Sequence, residues 1–237
     1  MRQWTTKLAL LAALVFPQAV RADGLIYRLP EDGTGVTYDM ELKRGQGMEV
    51  GVKASFKLSS VGTEMVNGDK CRWIEIRLAF AENGQERTIL SKMLIPEKHL
   101  GKGKSAGDNL VRAWIKMGDM EAMELKDLKQ PQAGPLAAFL AGPDPAAMKL
   151  DPIPVENAKL GKLECAGEIA SHQLDQGGNV VDMTFEHRLS EKAPFGVLAS
   201  KLKFTTNRDG NVVEQGSATF TLTDISTTAL SELPNNR

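Results

Sequence analysis

The sequence predicts a mainly β protein with minor helices, built as an antiparallel meander of about eight to ten strands. Three observations carry that expectation. Apolar and polar residues alternate with period two over long stretches, the signature of strands with one buried face. Dipeptides suited to tight hairpins separate these stretches: Asn67-Gly68, Asn83-Gly84, Gly177-Gly178 and Asp209-Gly210. The composition, 42% hydrophobic and 25% charged, is that of a globular domain and excludes a disordered or collagen-like chain.

The first element is a targeting segment. Arg2 and Lys7 precede the apolar run Leu8 to Phe16, and Val20-Arg21-Ala22 supplies a cleavage site before Asp23. Nine apolar residues are too few to span a bilayer, which needs about 20. No later stretch is long enough, so the sequence predicts no transmembrane segment. Residues 1–22 read as a signal peptide and 23–237 as a single β-rich domain, periplasmic or secreted. Loss of Arg2, Lys7 and Arg21 moves the net charge from −1 to −4. That balance, with 5% aromatics, argues against nucleic acid as a partner.

The strands follow in order. Val50, Val52, Ala54, Phe56 and Leu58 alternate with polar residues, and Ile74, Ile76, Leu78 and Phe80 oppose Trp73, Glu75 and Arg77. Arg87 to Ile95 follows the Asn83-Gly84 turn. In the second half, Leu163 to Ala170, Val180 to Leu189, Val197 to Thr205 and Asn211 to Asp224 read as strands. The middle differs. Asp108 caps a short helix, Trp114 to Met117 is extended, and Pro135 to Ala141 reads as a helix ended by Gly142. Pro143, Pro145, Pro152 and Pro154 make residues 142–156 an extended crossover inside one domain.

Motifs for catalysis are scarce, and the chain is expected to be non-enzymatic and without cofactors. It contains no G-x-S-x-G elbow. Gly103-Lys104-Ser105 ends like a phosphate loop, but Lys98 stands where its first glycine belongs. Val212 occupies the glycine position of a calcium loop around Asn207, Asp209 and Asn211. His99, His172 and His187 have no metal-ligand spacing, so no metal site is expected. His187 lies on the apolar face of its strand, where a hydrogen-bonded wall histidine is the ordinary reading. Met117, Met120 and Met123 recur at period three, either as an adaptable helical face or as ordinary packing. Cys71 and Cys165, the only cysteines, are expected to form a disulfide in an oxidising compartment. Closing that loop of 94 residues would stabilise by roughly 4–5 kcal/mol. Two separate buried thiols are the alternative.

The segments Ser60 to Glu75, Lys92 to Pro96 and Pro194 to Val197 look like stretches of secreted bacterial β-proteins. With the signal peptide and the interrupted meander, the layout resembles the exported lipoprotein-carrier superfamily of LolA-like and LolB-like proteins. The resemblance implies a large curved antiparallel sheet, an incompletely closed barrel with short helices over its concave face. It further implies a binding or carrier protein for an apolar ligand or lipidated partner, with a lipid or lipidated protein as the partner. Phe56, Phe80, Trp114, Phe139, Phe185 and Phe204 are the candidate walls of the cleft. The alternative is an envelope structural or protein-interaction module without a small ligand.

Overall fold

The computed structural model describes residues 24–45, 50–82, 84–104, 106–126, 128, 147–175 and 179–233. The proposed signal peptide, Phe139 and the Pro135 to Ala141 segment lie outside them. Eleven strands form one antiparallel sheet: β1 (Gly35–Arg44), β2 (Val50–Val66), β3 (Asp69–Glu82), β4 (Gln85–Pro96), β5 (Arg112–Met117), β6 (Met123–Glu124), β7 (Met148–Asn157), β8 (Gly161–Asp175), β9 (Asn179–Leu189), β10 (Val197–Arg208) and β11 (Asn211–Ser226). Their order is β6-β5-β4-β3-β2-β1-β11-β10-β9-β8-β7. The first and last strands therefore meet in the middle, and two meander wings spread from them. Two expected features differ. Among the described residues the helical turns are the 3-10 turns Glu97–His99 and Gly107–Asn109, not helices over a concave face. Residues 148–156 of the proline-rich stretch belong to β7, an edge strand that tolerates Pro152 and Pro154 because one side of its ladder is unpaired.

The sheet is open but coiled. The loop after β4 carries Lys102, which pairs with Glu168 on β8, seven places away in strand order. In a flat sheet these strands would stand roughly 30 Å apart at about 4.8 Å per strand. At the far wing, the Asn157 amide at the end of β7 donates to the Leu222 carbonyl of β11 at 2.6 Å, four places along. Coiling turns one face inward. Val36, Tyr38, Met40 and Leu42 of β1 meet Phe56 and Leu58 of β2, Ile74, Ile76 and Leu78 of β3, and Phe220 and Leu222 of β11 in one buried core. Phe56 sits at its centre, 6.3 Å from the Tyr38 ring and edge-on to Phe220 at 5.7 Å.

The strand ends near Gly35, Pro96, Leu189 and Ser226 form an upper rim, and this rim is plugged. Leu25 and Ile26 are buried beneath it. The Tyr27 amide donates to the Phe195 carbonyl at 2.9 Å, and Arg28 donates to the carbonyls of Glu191, Ala193 and Pro194. Gly196 is required here twice over. Its φ is +88°, and a Cβ would stand 2.7 Å from the Cβ of Tyr27. Arg72 ties the same segment down, donating to Ser60 Oγ at 2.7 Å, the Pro30 carbonyl at 3.2 Å and Glu97 Oε1 at 2.7 Å.

The opposite face carries a second, smaller cluster of Val61, Cys71, Trp73, Leu90, Leu94, Trp114 and Leu233. It explains why the expected disulfide is not formed in the structure. Cys71 is buried in this outer cluster on β3, whereas Cys165 lies in the main core on β8, six places away. Both are free thiols, and burial pushes both above the ordinary cysteine range. The period-three methionines also find another explanation. Met117 ends β5 and Met123 begins β6, with the turn between them, so they share no helical face; Met120 and Met123 are exposed. Among the described residues no helix is long and apolar enough to cross a membrane.

Phe56→Ala should destabilise the fold by about 3–5 kcal/mol in denaturant titration, because it opens a cavity where three central strands meet. The acid limb of stability should depend on Glu97. Burial raises its pKa, but hydrogen bonds from Arg72 and Lys70 outweigh this and leave it lowered. Its contribution is therefore present above the ordinary value of 4.5 and is lost as pH falls through the lower folded value. Glu97→Gln should flatten the fall in melting temperature below that pH relative to the wild-type chain.

Candidate functional site

The inner face changes character along a single register row. Pairing aligns Phe80 with Ala54, Ala54 with Met40, Met40 with Phe220, Phe220 with Ser200, Ser200 with His187, and His187 with Glu168. Residues paired directly across strands point to the same face. The row therefore runs from apolar to polar across seven strands. Strand stagger makes it diagonal: Phe80 stands near the lower end of β3, and Glu168 lies under the upper loop.

The polar end is buried. Glu168, His187 and Ser200 are each more than nine-tenths buried. Lys102 closes over them. It pairs with Glu168 Oε1, donates to the Tyr27 hydroxyl at 3.2 Å, and lies 5.0 Å above the Tyr27 ring. Burial alone would lower the Lys102 ammonium, but these two partners leave its pKa above the ordinary lysine value. Glu168 Oε2 is buried without a hydrogen-bond partner among the described residues. A carboxylate oxygen so placed accepts from a hydroxyl, amine or amide. His187, as its alternation implies, faces inward and stacks on Phe185 with ring centroids 6.1 Å apart.

The apolar end is less covered. Val52, Ala54, Phe80, Ile89 and Phe204 are only partly buried and pack against the core. Phe204 lies across Gly216, its pairing partner on β11; a Cβ there would stand 2.5 Å from the ring. Of the expected cleft walls, Phe80 and Phe204 reach this lower edge. Phe56 and Phe185 are buried core residues. Trp114 points the other way, into the outer cluster, 5.4 Å from Trp73. The five expected walls among the described residues therefore do not line one cleft. A depression of about 920 Å³ is lined by Asp39, Glu41, Lys53, Arg77 and Thr221 together with Met40, Ala54 and Phe80. Among the described residues no group of three or more His, Cys, Asp or Glu side chains could hold a metal ion. The polar row was not expected. Only the inward alternation of His187 announced any of it, because its partners are set by register.

The likeness to solved structures is remote. An alignment to a protein with a YmcC-like fold from Bacteroides fragilis covers 84% of this chain and 98% of the other, at 7% identity and a TM-score of 0.35. A LolA superfamily protein from Nitrosomonas europaea aligns over 90% of this chain and 92% of its own, at 8% identity and a TM-score of 0.29. A beta-barrel-like protein of a domain of unknown function from Brucella abortus aligns over 84% and 98%, at 10% identity and a TM-score of 0.24. The LolA-like resemblance thus reappears among solved structures, and at these scores it carries no argument about function. No protein-family model and no curated protein matches the sequence.

Lys102→Met should cost about 1–2 kcal/mol in stability. That is less than the loss of a fully buried partner, because the Lys102 side chain is 35% exposed. Adding Glu168→Gln should restore most of that loss, since the stranded charge goes with it. The double-mutant cycle in urea measures both.

Proposed function

We propose that this chain is an exported, non-enzymatic carrier for an amphiphile with an acyl or alkyl chain and a hydrogen-bond-donating head. The observation that carries this reading is the inner face, apolar and partly uncovered at its lower edge, where Phe80 ends the diagonal row and Phe204 lies on β10, and polar and sealed at Glu168. An alkyl chain suits the lower edge, where partly buried apolar side chains gain by further burial at roughly 25 cal/mol per Å². A hydroxyl or amine head suits the spare oxygen of Glu168, whereas a fatty-acid carboxylate would be repelled by it. Ligand entry would proceed from the lower edge, since the upper rim is plugged. A second reading, an envelope interaction module with a solid interior, draws support from the filled upper core around Phe56 and Ile74.

Native mass spectrometry of gently purified chain should show a co-purifying acylated species. Displacement of an apolar fluorescent probe should be stronger for a long-chain monoacylglycerol than for the fatty acid of equal length. Phe204→Ala and Phe80→Ala should each weaken it by about tenfold, equivalent to about 1.4 kcal/mol. A ligand-free spectrum and no probe binding would leave the interaction module as the answer.

A further inference from the structure

The outer face holds a site that the carrier reading does not use. Glu75 of β3 and Lys92 of β4 are cross-strand partners, 4% and 1% exposed. What covers them is the chain's own tail. Ser231 Oγ donates to Glu75 Oε2 at 2.7 Å, the Glu232 amide donates to Oε1 at 2.9 Å, and the Leu233 amide donates to Oε2 at 3.2 Å. Lys92 Nζ, 5.1 Å over the Trp73 ring, donates to the Leu233 carbonyl at 3.3 Å. The Leu233 side chain, 3% exposed, enters the cluster of Trp73, Trp114, Leu90, Leu94 and Val61. Lys57 and Arg77 pair with the Glu232 carboxylate at 3.2 and 3.5 Å.

Each residue of the triplet thus meets its own surroundings: the Ser231 hydroxyl lies 2.7 Å from both the Glu75 carboxylate and the Leu233 carbonyl, Glu232 meets two cations, Leu233 enters the tryptophan cluster, and the backbone meets both buried charges. Plain packing of a tail does not call for this. A buried ion pair is often no more stabilising than apolar residues of the same volume, so charges that converge on one short backbone stretch indicate recognition. The segment leading to the triplet is anchored at one point: Ala229 is buried and its amide donates to the Gly33 carbonyl at 2.7 Å, while Thr227 and Thr228 on one side and Leu230 on the other are exposed. We propose that the Glu75–Lys92–Trp73–Trp114 surface is a peptide-recognition site for a Ser-acid-Leu segment of another polypeptide, with the tail as its intramolecular occupant. The tail then acts as a competitor at high effective concentration, and the site opens when it lifts.

The test uses the full chain with Leu233→Asp, which would bury a carboxylate in the apolar cluster of Trp73, Trp114, Leu90 and Leu94 and so displaces the tail while leaving the sheet untouched. An acetylated and amidated peptide of residues 227–233 is titrated in, with tryptophan fluorescence and calorimetry as readouts. The Leu233→Asp chain should bind it at least tenfold more tightly than the wild-type chain, and adding Glu75→Gln should cost at least tenfold. The milder Ser231→Ala/Leu233→Ala chain should fall between, and serves if Leu233→Asp does not fold. Equal binding of a scrambled peptide, or no saturable binding by a folded tail variant at millimolar peptide, would overturn the proposal. Neither result bears on acyl binding at the inner face.

Discussion

The pairing of β1 with β11 is the constraint on which the rest of this structure depends. Their register, from Gly35 opposite Ser226 to Arg44 opposite Gly216, is what joins two separate meanders into one sheet. β1 also supplies Tyr38, whose buried hydroxyl donates to the Val197 carbonyl at 2.9 Å and so reaches past β11 to β10. Burial raises the Tyr38 pKa far above the ordinary phenol, so it remains a donor at every physiological pH. With the two wings fixed at their inner strands, coiling brings the loop after β4 over β8 and gives the inner face its sealed upper end.

The two faces then acquire different chemistry from the same backbone. Alternation sends Ile74, Ile76 and Leu78 inward and Trp73, Glu75 and Arg77 outward on a single strand. The inner face is a large apolar surface with one polar corner. The outer face is a small apolar cluster with a charged centre, covered by a short piece of chain. Each places buried charge beside an apolar wall, the arrangement that sets orientation as well as affinity for whatever lies against it.

Much of the fold was legible in the sequence, because strand alternation and Asn-Gly or Asp-Gly turns are local signals. β2, β3, β4, β9, β10 and β11 fall where these signals put them. β1 carries the same alternation in Val36, Tyr38, Met40 and Leu42 and follows the turn at Asp32-Gly33, so its signal was as local as the others. β7 was hidden by Pro152 and Pro154, which read as linker residues wherever edge position is unknown. The candidate site was much less legible. Whether Trp114 faces in or out, and whether Glu168 meets His187, depends on register between strands, and bulges such as those at Thr37/Tyr38 and Thr206/Asn207 shift that register. The cysteines show the same limit: their number says nothing about which face or wing each one occupies.

The edge strand β7 bears on how such a chain keeps to itself. Its side chains are mostly exposed, Met148 at 63% and Ile153 at 40%, and an exposed strand edge invites pairing with a neighbouring molecule. Pro152 and Pro154 remove two backbone donors from that edge, and the irregularity between Leu150 and Ile153 bends it away from a flat template. A second molecule laid alongside would meet gaps in the ladder where it needs continuous hydrogen bonding. The residues that disguise this strand in the sequence thus protect an open sheet from growing into a fibre.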